Sequence, residues 1–315
     1  MAGGEGGRGP PSAPHRGSGD RHHQGRRVGR CRARSVALRG YRQGRSGVGL
    51  LQHPEGGVVP VTPVVAVLHH DLIWLRRDPV PFVTLLLTPC LLMSFTAPLY
   101  AGVASRLGHE GASGADFSVP GMALMFAFFM GGVIKESIFR EFELHTWNRV
   151  QVSGASAGDL LGGKILLGGM LVLGQSSVLF LVGGLLLGLN VRGSMVALIV
   201  LLVGVAVCVV SFSLALCTLA RSRSQAFAYD RVITLVWTVL GGALVPIELM
   251  PSWVRALATV TPVHWAVSGL REVIVGGGGL RQVLLSVACL FAFSLVFCAI
   301  ALWRVSKKVD RGFRW

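Results

Sequence analysis

From about residue 80 the chain alternates long apolar runs with short charged punctuation. Apolar runs fall at 80–103, 119–139, 163–189, 194–220, 231–250 and 282–303. At 1.5 Å per residue each is long enough for a hydrocarbon core of about 30 Å. Between the second and third runs, "FREFELHTWNRVQVSG" (Phe139–Gly154) places Arg140, Glu141, Glu143, His145, Trp147, Asn148 and Arg149 in a helix-compatible order. The fifth run continues well past the length of one crossing and is broken by Pro246, Pro251 and Pro262. It reads as a span to about Val245, then short helices dipping into the outer leaflet, then a turn at Gly276–Gly279. Irregular backbone at that depth must be covered by protein or line a cavity.

Ahead of these runs, "TPVVAVLHHDLIWLRRDP" (Thr62–Pro79) predicts an amphipathic helix. Thr62 suits the N-cap and Pro63 the first helical position. Val64, Leu68, Leu72 and Leu75 share one face, His69, His70, Arg76 and Arg77 lie largely off it, and Asp78-Pro79 ends the helix. It is too short and too charged to span, so it is expected to lie in the cytoplasmic interface, with an amphipathic helix packed on protein as the alternative. Together the pattern predicts an all-α polytopic membrane protein. Its parts are six transmembrane helices, an N-terminal interfacial helix, a cytoplasmic elbow (coupling) helix and a broken outer hairpin between spans five and six.

Composition agrees with a membrane protein. Of the 315 residues 52% are hydrophobic and only 14% charged, against about 25% charged in soluble domains. The net charge of +15 raises nucleic acid as a partner, but the basic residues cluster at the ends of apolar runs, which argues against it. Residues 1–60 hold 11 Arg against Glu5, Asp20 and Glu55. They read as a disordered basic cytoplasmic tail, with a translation start nearer Val58 as an alternative and an arm on anionic lipid as a weaker one. Domains are expected at 1–60, 61–309 and 310–315. The side of the membrane holding the N-terminal region, the Arg140–Lys164 loop, Arg221, Arg223, Arg231 and the tail from Arg304 is richer in Lys and Arg than the side holding Arg106, Arg192, Arg255, Arg271 and Arg281. That places both termini in the cytoplasm.

Sites of chemistry are sparse. The six cysteines form no CxxC pair, and the five in apolar runs read as buried hydrophobes. "GDLLGGKI" (Gly158–Ile165) matches G-x-x-x-x-G-K, but Ile165 stands where a Walker A needs Ser or Thr and no strand precedes it. Lys164 then reads as an interfacial anchor, and the chain as a non-enzyme without a nucleotide site. Lys135 and Glu136 read as a snorkelling Lys and an interfacial Glu, with a proton relay as the other possibility. Gly184 and Gly188 form a G-x-x-x-G read as packing within one subunit. No metal, cofactor or catalytic constellation is expected.

"LRRDP" before span one, the elbow "FREFELHTWNRVQVSG" followed by "GGKIL", and "PSWVRALATVTPVHWAVSGLR" before span six resemble, in that order, the ABC-2 type transporter permease family. Pro251, Trp253, Pro262 and Arg271 carry the resemblance to its signature region. The Thr-Trp-x-Arg elbow is most similar to the branch that exports daunorubicin and related antibiotics. His145 stands where that family usually has Gly, and Gly154 where it often has Pro. The resemblance implies a plasma-membrane exporter of a hydrophobic small molecule, a homodimer of permeases, and a separate ABC ATPase that uses ATP and Mg. Glu141, Glu143, Trp147 and Arg149 are then expected to contact that ATPase. Leu68, Leu72, Leu75, Arg76 and Arg77 would sit at the membrane surface. A permease for lipid-linked glycan and an ion-coupled carrier are the alternatives.

Overall fold

Apolar faces turned outward and polar residues turned inward organise the molecule. The computed structural model describes residues 49–52, 58–61, 63–106, 112–143 and 157–310. Helices carry nearly all of them: α1 Pro63–Arg77, α2 Val80–Arg106, α3 Ala115–Glu143, α4 Ala157–Leu186, α5 Met195–Leu219, α6 Arg223–Leu240, α7 Ser252–Ala258, α8 Pro262–Ile274 and α9 Leu280–Asp310. Five of these, α2, α3, α4, α5 and α9, are long and apolar enough to cross a membrane. The helix expected as the fifth span, at 231–250, is instead the 18-residue α6 ending at Leu240. It carries Arg223, Asp230 and Arg231 and does not meet that criterion.

A short antiparallel pair, β1 (Gly49–Gln52) with β2 (Val58–Val61), precedes α1. The structureless reading through residue 60 therefore fails at its end. Val58, Val59 and Val61 are β-branched, which suits a strand. Residues 46–315 form one compact unit.

Helix α3 is central, with nearly all of its spanning stretch buried, while α2 and α9 present most of theirs to the outside. On α2, Val83, Leu87, Leu91, Phe95 and Leu99 recur every four residues and are exposed. Inside sit Lys135, Ser137, Gln175, Ser211, Ser213, Asp230, Thr234 and Thr238. A water-soluble protein would reverse this distribution, whereas lipid makes no demand that apolar side chains be buried. One of those polar residues repairs a backbone defect. Pro89 lies inside α2 and has no N–H to give the Leu85 carbonyl, and Gln175 Nε2 on α4 donates to that carbonyl at 2.9 Å. An orphan carbonyl in hydrocarbon would be expensive, so α4 is tied to α2 at the proline.

At the end of the bundle where α8 lies, the α4–α5 loop caps α8 and the glycine turn after it. Gly193 N–H donates to the Val273 carbonyl at 2.8 Å and Arg192 N–H to that of Ile274 at 3.3 Å, while Ser194 N–H reaches Gly278 at 3.2 Å. A Cβ at Gly193 would lie 2.4 Å from the Gly278 oxygen and 2.6 Å from that of Val273. Nearby, Gly188 has φ +73° and lies beyond the end of α4 at Leu186. It is a turn residue, so the expected G-x-x-x-G does not exist as a helical face. The α4 glycines that make close contacts, Gly168 and Gly183, seat Ile134 and Val119 of α3.

Gly193→Ala should therefore lower the melting temperature of the purified protein, by the equivalent of about 1–3 kcal/mol of overpacking. Gly169→Ala, where a Cβ meets nothing within 4 Å, should be neutral or stabilising by up to about 1 kcal/mol. Equal melting temperatures for the two variants would show that the stitch at Gly193 is not tight.

Candidate functional site: a charged cleft on helix α3

Three consecutive residues of α3 radiate toward three neighbours, because successive helical positions point about 100° apart. Lys135 Nζ lies 2.8 Å from Asp230 Oδ1 on α6 and 3.5 Å from Ser213 Oγ on α5. Its side chain is 0% exposed and that of Asp230 3%. Glu136 pairs with Arg223 at the start of α6, in a more open position. Ser137 Oγ donates to Asp71 Oδ2 on α1 at 3.1 Å, and Lys164 Nζ on α4 reaches both Asp71 oxygens, at 2.9 and 2.6 Å. Charges at such depth persist only when paired and hydrogen-bonded.

Helix α6 fits α3 by its polar side. Ala226, Asp230, Thr234 and Thr238 recur every four residues and are buried, while Val232, Leu235, Val236 and Val239 are exposed. Ser222 caps its start by accepting from Gln225 N–H. The result is a helix whose apolar face suits lipid and whose ionic face is locked onto α3.

Between α6 and the α1–α2 junction the floor of α3 is left open. This cleft measures about 690 Å³. Leu75, Asp78, Val80, Pro81, Thr84 and Leu85 form one wall, and Arg223, Phe227, Asp230, Arg231 and Leu235 the other. Phe129, Gly132, Val133 and Glu136 form the floor. The cleft is largely apolar, with its charge carried by Asp78, Glu136, Arg223, Asp230 and Arg231.

A second cluster closes the opposite end. Arg271 on α8 donates to the Gly242 carbonyl at 3.1 Å and to Glu248 at 3.3 Å, and its guanidinium stands 5.4 Å from the centre of the Phe117 ring on α3. Tyr100 on α2 donates to the Leu244 carbonyl. These contacts fasten the segment after α6 against α2, α3 and α8, around a pocket of about 260 Å³ that His264, Ser268 and Glu272 also line. Burial, then the Arg271 charge, hold the His264 imidazole below its ordinary pKa, with Glu248 opposing.

The expected site residues distribute unevenly over this geometry. Leu68, Leu72 and Leu75 are partly buried and pack on the bundle core, while Arg76 and Arg77 are exposed. The face read as facing the membrane surface meets protein instead. Lys164, read as an interfacial anchor, is 2% exposed and ion-paired. Lys135 is sealed inside rather than snorkelling. Arg271 is integral to the second cluster. Pro251 and Pro262 start α7 and α8, and Trp253 is exposed. Glu141 and Glu143 lie in the last turn of α3, and Trp147 and Arg149 fall outside the described residues. The five described cysteines are free. Asp71, Asp230, Glu248 and His264 were missed. An acidic residue within a helical pattern beside an apolar run in a membrane protein was the available signal for the first two.

The His264 environment predicts a pH response. Its folded-state pKa is lowered, so the unfolded chain binds the proton more readily. Stability is then complete above the unfolded value of about 6.5 and falls as pH drops through that value toward the folded one. Melting temperatures between pH 7.5 and 5.5 should decline less in His264→Gln than in the parent protein. Identical declines would remove His264 from the account.

The comparisons with known proteins follow this architecture. Over 197 residues the chain is 26% identical to linearmycin resistance permease protein LnrN of Bacillus subtilis (strain 168), a match covering 61% of this chain and 50% of that protein. Over 208 residues it is 22% identical to ABC transporter G family member 20 of Dictyostelium discoideum, covering 64% of this chain and 28% of that protein. The chain thus spans half or less of the length of these relatives. Residues 64–275, the stretch from α1 through α8 that contains both charged clusters, match the ABC-2 type transporter family, and the protein is a membrane protein that belongs to that family.

Proposed function

We propose that the protein is the permease subunit of an ATP-driven exporter that moves a hydrophobic or amphipathic compound, of the antibiotic class, out across the cytoplasmic membrane. The cleft on α3 is the observation that carries this reading. Its apolar walls suit a greasy body and its charged end suits a polar head. The name of the Bacillus relative, a resistance permease, supports the substrate class. Energy comes from a separate ATPase that uses ATP and Mg and docks on the segment containing Glu141, Glu143, Trp147 and Arg149. The working unit is a homodimer. Helix α6 serves as a sixth crossing, its polar face satisfied by α3, and both termini are cytoplasmic, the side favoured by the Lys and Arg distribution.

Inverted vesicles from cells co-expressing the permease and its ATPase should accumulate drug only with ATP. Gly132→Phe, which places a ring on the cleft floor, should abolish accumulation while leaving the ATPase bound. Trp147→Ala should weaken ATPase co-purification by about 2 kcal/mol, roughly thirtyfold in affinity. Accumulation that survives ATP depletion but collapses with an uncoupler would make the protein an ion-coupled carrier and overturn the reading.

A further inference from the structure

The ion pair between α1 and α4 lies away from the cleft, and nothing in the proposed export cycle so far uses it. It is nonetheless among the most completely sealed charge pairs in the described chain. Lys164 and Asp71 are 2% and 4% exposed at the side chain, the ammonium reaches both carboxylate oxygens, and Ser137 of α3 donates to one of them. A pair whose charges have been taken out of water cannot slip, because a shift of an ångström or two leaves a buried charge uncompensated. The contact is therefore rigid in a way that apolar packing alone is not.

Its place in the chain gives that rigidity a use. Lys164 sits two turns into α4, which begins at Ala157, just after the segment proposed to receive the ATPase. Asp71 sits one turn before Leu75, and Leu75 and Asp78 form part of the cleft wall. Only Asp78 and Pro79 separate α1 from α2, and Val83 N–H already donates to the Pro79 carbonyl at 2.8 Å, so the joint has little slack. Val64 of α1 also faces Gly162 of α4, where a Cβ would meet it at 3.7 Å. Helix α2 touches α4 over a shorter stretch than α1 does. Besides the Gln175–Leu85 bond that ties α4 to α2, displacement of α4 has an ionic route to the near wall of the cleft through α1.

We propose that the Asp71–Lys164 pair, completed by Ser137, is the joint that passes movement of α4 to the α1–α2 wall of the cleft. This rests on the export reading above. Asp71, Lys164 and Ser137 are positioning residues: they touch neither nucleotide nor cargo, and they set how a push at one end of α4 becomes a change in cleft width.

The test uses the full permease with its ATPase in nanodiscs, with drug-stimulated and basal ATP hydrolysis measured side by side. Asp71→Asn and Lys164→Met should keep ATPase binding and basal hydrolysis, yet lose drug stimulation by about tenfold. The exchanged pair, Asp71→Lys with Lys164→Asp, should recover most of the stimulation, which a merely structural defect in either single variant would not predict. Spin labels at exposed His69 on α1 and Leu166 on α4 give a second readout in the permease alone. Their distance distribution should be narrow in the parent and broad in both single variants. Full stimulation in the single variants, or unchanged distributions, would overturn the proposal while leaving the export reading intact. A parent complex that binds ATPase but shows no drug stimulation would overturn the export reading and this inference with it.

Discussion

A lysine and an aspartate held 2.8 Å apart in the interior of an apolar bundle set the terms for the rest of this fold. Lys135 cannot exist there as a charge without Asp230, and Asp230 cannot without Lys135. Meeting that requirement fixes the rotation of α6, because the face carrying Asp230 must point at α3. Thr234 and Thr238 follow onto the same contact, and Val232, Val236 and Val239 are turned outward. One electrostatic demand thus decides which side of α6 is exposed.

The same helix distributes the remaining polar contacts. Glu136 holds the start of α6 and Ser137 reaches the α1–α4 pair, so three adjacent residues of α3 control three helices at the charged end. The other end is governed by Arg271, which spans α8, the segment after α6 and the Phe117 ring. The cleft lies between these fastenings, open where α2 and α6 leave α3 uncovered. Two charged ends with an apolar middle are what a membrane carrier needs if it is to change shape without losing its register. Apolar helix surfaces slide over one another cheaply in lipid, while buried polar contacts are specific.

Much of this was legible in the sequence. Apolar runs located α2 to α5 and α9, the Pro246, Pro251 and Pro262 breaks marked where α6 gives way to the short α7 and α8, and the order of charged motifs pointed to the ABC-2 family that the comparison then gave. What the sequence hid was direction. Hydropathy says that Lys164 and Lys135 stand near the ends of apolar runs, where snorkelling is the usual outcome, but it does not say that an aspartate on another helix is waiting. Asp71 and Asp230 each lie far along the chain from their partners, and pairing across 93 and 95 residues leaves no local trace. The fifth apolar run was misjudged for a related reason. Counting apolar residues favoured 231–250, whereas the helix that forms starts at Arg223, because its charged first half is accommodated by α3, and ends at Leu240, where Gly241 caps it and Gly242 takes a positive φ. Leu68, Leu72 and Leu75 were correctly placed on one face, but periodicity alone does not tell lipid from protein as the surface that face meets.

The most direct measurement of the central claim is a double-mutant cycle on Lys135 and Asp230, read as thermal stability of the purified permease. Lys135→Met and Asp230→Leu should each cost about 3–5 kcal/mol, since each leaves a buried charge alone. The double variant, which leaves no charge to satisfy, should recover most of that loss and give a large favourable coupling energy. Single-variant losses that simply add in the double variant would mean the two residues do not depend on each other, and the organisation of α6 around α3 would need another cause.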